Sequence, residues 1–306
     1  MSTVHSSRAM QAPPPKPAKR SRSSSGMARQ LLRHKAGAVA LVVIALFAVL
    51  AVVGHWLEPH DPNVGNVVDS LSAPSGAHWL GTDDLGRDVL SRVIDGSRIA
   101  LVVAVLSVVI ALVIGLVIGV VAGFVGGFLD TVLTRSQDVL FAFPTLLLAI
   151  ILVAVLGPGL LNASLAIAIV YIPRFARIAR SSTLQIKSSE YLDAARLAGV
   201  SPLVMLVRHV VPNVLPSVIV LGALSMSTAQ LAYASLAFLG LGVSPPQADW
   251  GSMLSEARNF VTSAPWMVLG PAVALVALML SFNVLGDAIR DVLDPRSNQS
   301  GALPSV

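Results

Sequence analysis

The chain has 306 residues, of which 55% are hydrophobic and only 12% charged, with a mean hydropathy of +0.77. That composition excludes the pair of soluble domains usual for this length and places the chain in a bilayer. Its 21 Lys and Arg against 16 Asp and Glu give a net charge of +5, and the absence of cysteine excludes a disulfide framework, thiolate metal sites and a Cys nucleophile.

Residues 1–30 are rich in Ser, Pro, Lys and Arg, so a disordered basic tail is expected, with Lys16, Lys19, Arg20 and Arg22 touching anionic lipid or simply solvated. A spanning helix needs about 20 mostly apolar residues, and stretches free of Asp, Glu, Lys and Arg supply six such helices. Ala36–Leu57 holds the first, retained rather than cleaved because its apolar run is long and five more follow.

The outer segment 58–98 comes next. Thr82 is expected to cap a helix with Asp83 and Asp84 in its first turn. Leu85, Val89, Leu90, Val93 and Ile94 would form one face, with Arg87, Asp88, Ser91, Arg92 and Asp95 largely opposite, a pattern that suits a helix lying on the membrane surface. The acidic residues miss the alternating spacing of a calcium loop and read as capping and surface ion-pairing groups, so no metal site is expected.

Ile99–Phe128 holds the second span, where Gly115, Gly119, Gly123 and Gly127 line up on one face for close helix packing, within the chain or against another subunit. Val139–Pro173 is too long for one crossing and is divided by Gly157-Pro158-Gly159 into spans three and four, with Pro144 a candidate kink. The connection to span five carries a short helix of about nine residues. Ser189 is its cap, Glu190 lies in its first turn, Gly199 stops it, and Ser201-Pro202 starts the next helix. A helix that short is marginal alone in water, so something must hold it, and Ala194, Ala195, Ala198 and Gly199 give it a small-residue surface.

Span five lies within Pro212–Gly242, with Pro216 a second candidate kink, and span six runs from about Pro265 to Gly286. Ser225, Ser227, Thr228, Gln230 and Tyr233 of span five suit either a translocation pathway or helix-packing hydrogen bonds. With six spans and the amino terminus inside, 17 Lys and Arg fall on the cytoplasmic side and 4 outside, which places both termini in the cytoplasm. Topology thus explains the basic excess, and nucleic acid is excluded as a partner.

The spans contain no Asp, Glu, Lys or Arg, which disfavours an ion-coupled carrier, a voltage sensor or a self-sufficient channel. No zinc-protease, serine-hydrolase or phosphate-loop motif occurs, and no catalytic residue is assigned. A charge-free membrane domain must receive its energy from elsewhere, and a cytoplasmic docking helix would meet that need.

Asp193-Ala194-Ala195, Gly199 and downstream Pro212 resemble the docking motif of ATP-binding cassette importer permeases, with Asp193 in place of Glu and His209 where the pattern prefers Ile. Three further stretches are similar to those of dipeptide and oligopeptide permeases, particularly the second permease of each pair: His78 to Arg92 (HWLGTDDLGRDVLSR), Phe238 to Val243 (FLGLGV) with Pro245, Pro246, Trp250 and Gly251, and Phe282-Asn283 to Arg296. Together they cover the chain from about residue 30 to 296. The resemblance implies an all-α, six-span, type I importer permease in a bacterial cell membrane. Its tail at 1–30 would be followed by a first span and external segment at 31–98, a core permease domain at 99–290 and a second cytoplasmic tail at 291–306.

It further implies a non-catalytic subunit without a cofactor of its own, paired with a homologous permease. Two cytoplasmic ATPases would use ATP and magnesium, and an external binding protein would deliver a peptide. Glu190, Asp193, Ala194, Ala195 and Gly199 would dock in an ATPase groove, while Asp83, Arg87 and Asp88 would face the binding protein. Nickel chelate, glutathione and haem remain alternative cargoes. Relatives often carry an acidic residue where this chain has Tyr233, a departure at that position.

Overall fold

The structure, a computed structural model, describes residues 35–293. The expected disordered tail, its lipid contacts and the end of the carboxyl-terminal motif, Arg296 included, lie outside the described residues.

The described chain is helical. Helix α1, Lys35–Leu57, is apolar on every side and buries only Gly37, Ala40, Phe47 and Gly54 against the rest of the protein. It ends just before Glu58-Pro59, where the proline disfavours a helical residue before it. Helix α2, Val89–Val125, is one unbroken rod of 37 residues, about 55 Å long against a hydrocarbon core of roughly 30 Å. The rod is therefore longer than one crossing needs, and its amino-terminal turns pack against the rest of the chain.

This corrects the expected surface helix. Asp88, not Thr82, is the cap, accepting from the Ser91 N–H. The Thr82 hydroxyl instead accepts from the Ser72 N–H and donates to the Asp69 carbonyl. The apolar face read from the sequence is real, but Val89, Val93 and Ile94 pack against Gly270, Gly54 and their neighbours, not against lipid.

Gly126 and Gly127, both at positive φ, end α2 and start α3, Gly127–Phe141. Helix α4, Thr145–Leu156, follows at 92°. Pro144 occupies its N-cap, so the proline marks the sharp corner between α3 and α4 and not a kink inside a continuous helix. Twelve residues make only about 18 Å of helix, so the third crossing is complete only if α3 contributes to it. After the turn at Gly157-Pro158-Gly159 comes α5, Leu160–Lys187, which continues through Pro173, where the apolar stretch ends, and carries Arg174, Arg177 and Arg180 on the same helix.

Helix α6, Glu190–Leu197, leads to α7, Pro202–Phe238, which contains a π turn at Leu206–Val210. The π turn directly precedes Pro212, which has no N–H to offer the Arg208 carbonyl; the Val211 N–H reaches back five residues to Leu206. Helices α8, Trp250–Ala257, and α9, Trp266–Leu293, complete the fold. By length and composition five helices can cross a membrane, and six if α3 and α4 count as one bent span.

The α2–α5 pair is the most extensive packing contact and forms the centre of the molecule. Its close approach comes from the glycine seam. A Cβ at Gly119 would lie 2.2 Å from the Ala176 carbonyl oxygen, and those at Gly115 and Gly123 would press on Phe175 and Thr183. The seam thus packs inside the chain, except for Gly127, which meets nothing. Arg180 clasps Asp130 of α3 through two bonds of 2.6 and 2.7 Å, and Lys187 donates to the Phe124 carbonyl, which fastens the α2, α3 and α5 ends together.

Candidate functional site

The short helix α6 forms as the sequence predicts, through local signals and one anchor. Ser189 has the extended backbone of an N-cap, although its hydroxyl donates to the Ile186 carbonyl instead of capping. Glu190 and Asp193 lie in the first turn, and Asp193 pairs with Arg196 at 3.1 Å on the exposed surface. At the other end Gly199 adopts φ +76°. Its N–H donates to the Arg196 carbonyl and that of Val200 to the Ala195 carbonyl, the two bonds of a Schellman stop.

Leu192, fully buried in the core with Met205, Val210 and Val214, was not singled out by the sequence, yet it holds the helix to the membrane domain. Its signal was available: it is a leucine among charged residues, two positions into a helix too short to stand alone. Outward, Ala194, Ala198 and Gly199 are exposed, and beside them Leu197 (90% exposed), Leu203 and Val207 present uncovered apolar surface. This combination of small residues ringed by exposed aliphatic side chains is what a partner protein can cover.

A second constellation lies at the other end. Asp83 Oδ1 accepts the Leu85 and Arg87 N–H groups, and its Oδ2 accepts Arg87 Nε at 2.6 Å. Arg87 also donates to Glu256 at 2.9 Å, and Arg92 lies within 3.6 Å of both carboxylates while donating to the Pro62 carbonyl. Asp83, Arg87, Asp88 and Arg92 are all nearly fully buried, so they form a charged core that ties the outer segment to α2 and α8. This corrects the reading of these groups as surface ion pairs. Large apolar side chains exposed at this end include Val64, Val67, Val68, Trp79 and Leu85. Glu256, 169 residues from Arg87, had no local signal. Gly86, at φ +73° and with no room for a Cβ beside the Asn66 carbonyl, shows why the motif needs glycine there.

Of the span-five polar residues, Ser225, Ser227, Gln230 and Tyr233 are buried within the chain and Thr228 is exposed. The Thr228 hydroxyl donates to the Ser225 carbonyl, whereas Ser225 Oγ and Gln230 Oε1 have no hydrogen-bond partner among the described residues. The Tyr233 hydroxyl donates to Asp249 Oδ2 at 2.9 Å, and Asp249 Oδ1 accepts the Gly251 N–H as the N-cap of α8. Burial pushes the Asp249 carboxyl up to about 6.

Among the described residues, five helices long and apolar enough to cross a membrane, or six if α3 and α4 are one bent span, enclose a short exposed helix between α5 and α7. The fold is similar to a chain of the methionine transporter MetNI solved in inward-facing conformations, with a TM-score of 0.56, 19% identity, and coverage of 66% of this chain and 97% of that one. The sequence matches the binding-protein-dependent transport system inner membrane component family over residues 115–299, and the chain belongs to that family. Residues 25–74 match the N-terminal transmembrane domain of oligopeptide transport permease C.

Among curated relatives, the dipeptide transport system permease protein DppC of Alkalihalophilus pseudofirmus is 39% identical over 88% of either chain. The glutathione transport system permease protein GsiD of Shigella flexneri is 45% identical over 86% of this chain and 87% of its own. The protein is thus a membrane permease component of a binding-protein-dependent importer.

Proposed function

We propose that this permease imports short peptides, glutathione included, as the non-catalytic half of a two-permease channel, and that α6 is where ATP-derived motion enters it. The reading is carried by the construction of α6: a helix anchored by one buried leucine, ended by a left-handed glycine, and surrounded by uncovered aliphatic side chains. Cytoplasmic ATPases, binding ATP and magnesium, would cover that surface. Their closing and opening would move α6 as a lever on α5 and α7, which it directly connects. The peptide assignment follows the dipeptide and glutathione permeases to which the chain is similar. An external binding protein would meet the exposed Val67, Val68, Trp79 and Leu85 surface, the buried charges beneath keeping that surface rigid.

Both termini belong on the cytoplasmic side by the charge asymmetry. Single cysteines at the exposed Ser75 and Ser263 should react with an impermeant thiol reagent in intact cells and one at Ser188 should not; labelling of Ser188 would overturn the orientation. The transport reading is tested by purifying the complex from its own membrane and reconstituting it with the co-purifying proteins. ATP-dependent uptake of a dipeptide or of glutathione is expected. Uptake by this chain alone, without ATP, would refute the assignment.

A further inference from the structure

Where the segment after α1 meets the start of α2, His60, His78 and Asp88 converge, each offering a ligand atom within 4.8 Å of the others. Nδ1 of His78 lies 2.9 Å from Asp88 Oδ1, and Nδ1 of His60 lies 3.9 Å from the same oxygen. The two imidazole rings are 4.6 Å apart, centroid to centroid. The surroundings organise this set. The second Asp88 oxygen accepts both the Ser91 N–H and the Ser91 hydroxyl at 2.8 Å, which leaves Oδ1 for the imidazoles. The His60 backbone N–H donates to that same hydroxyl at 3.1 Å, so the loop carrying His60 is pinned beside Asp88. Exposure is graded: the side chains of Asp88, His78 and His60 are 1%, 16% and 43% accessible, a fixed floor open to solvent on one side.

We propose that His60, His78 and Asp88 form a binding site for a divalent transition-metal ion of the zinc class, with water as the remaining ligand. Zinc bonds of about 2.0–2.1 Å at tetrahedral angles separate neighbouring ligand atoms by roughly 3.4 Å. The separations of 2.9 and 3.9 Å lie on either side of that value, so small side-chain rotations complete the geometry. Two imidazoles with one carboxylate is a donor set zinc takes, whereas calcium and magnesium take oxygen ligands. Ser91 supplies the outer support that holds the carboxylate. A bound ion would link the segment following α1 to the amino-terminal end of α2, beside the Asp83–Arg87 charged core. The spacing of 18 residues between the two histidines is longer than a local ligand motif, which is why the sequence alone does not reveal the set.

The test uses the full chain purified through a histidine-free tag, stripped with a chelator, and dialysed against zinc alone or cobalt alone. Mass spectrometry of the metal should find one zinc per chain that His60→Asn loses, with at least about a 10-fold fall in affinity. The cobalt form should show the visible absorption of a low-symmetry site. His78→Gln, which keeps a hydrogen-bonding group beside Asp88, should lose the ion too, while His55→Asn, at an 88% exposed side chain, should keep it. Equal metal-free melting temperatures for wild type and His60→Asn would establish that metal loss is not unfolding. Equal zinc retention by wild type and His60→Asn, or no zinc retained by wild type, would overturn the proposal.

Discussion

Gly199 offers the sharpest test of how α6 works. Its φ of +76° costs an ordinary L-residue about 1–2 kcal/mol, with a β-branched side chain at the upper end and asparagine well below it. No atom lies within 4 Å of where its Cβ would be, so any effect arises from the backbone and not from a clash within the chain. An eight-residue helix has little stability of its own. A loss of 1–2 kcal/mol therefore shifts the equilibrium constant for the docking-competent form by about 5- to 30-fold, and the apparent ATPase affinity falls by up to that factor, in proportion to the fraction that remains competent. Gly199→Val should insert into the membrane normally, lose most of its ATPases on purification and fail in ATP-driven uptake. Gly199→Asn should retain most of both. Full retention by Gly199→Val would refute the docking assignment, while equal losses in the two variants would show that side-chain volume at the interface matters and not the left-handed backbone.

In the glycine seam, Gly119→Ala must part α2 from α5, at about 1–3 kcal/mol for overpacking; the amount of assembled protein should drop, while Gly76→Ala, with nothing within 4 Å, should match wild type. Arg87→Met removes the closest cation from the buried Asp83 carboxylate, which keeps its two backbone N–H donors and Arg92 at 3.6 Å, and is expected to destabilise the outer segment by less than the about 3–5 kcal/mol of a fully stranded charge. Adding Asp83→Asn should restore part of that loss, and limited proteolysis with matching single and double variants would contradict the coupling. Asp249, raised from 3.8 to about 6, binds its proton more tightly folded than unfolded. Its contribution is full at acid pH and is lost as pH rises from about 4 through 6, on the order of 2–3 kcal/mol in all. The melting temperature in detergent should fall over that range for wild type and fall less for Asp249→Asn; identical pH slopes would refute the assignment.

Much of the membrane layout was legible because its signals are local. The Gly157-Pro158-Gly159 break, the stop at Gly199 and the cap-proline start at Ser201-Pro202 each depend on backbone preferences of a few adjacent residues. The glycine spacing announced a close helix approach, although its partner, α5, emerged only from packing. Boundaries were less legible. Pro173 lies within α5 and Pro144 at a corner, since a proline's tolerance depends on what else satisfies the freed carbonyl.

The outer segment marks where local reading ended. Its alternation of apolar and charged residues was read correctly as a pattern and wrongly as a surface. An amphipathic stretch states that two environments exist, but which is water, lipid or protein depends on what the chain brings alongside. Here α8, α9 and Glu256 arrive from the far end of the sequence and turn apparently exposed charges into a buried network. The sequence by itself determined that the chain spans a membrane, that it breaks at Gly157-Pro158-Gly159 and that a short helix ended by Gly199 follows span four, because hydropathy and turn chemistry act over neighbouring residues. Tertiary structure alone decided that Leu192 anchors that helix, that Tyr233 reaches Asp249 and that Asp83 is paired with Arg87 inside the protein, because burial and charge neutralisation belong to residues that meet only when the chain has folded.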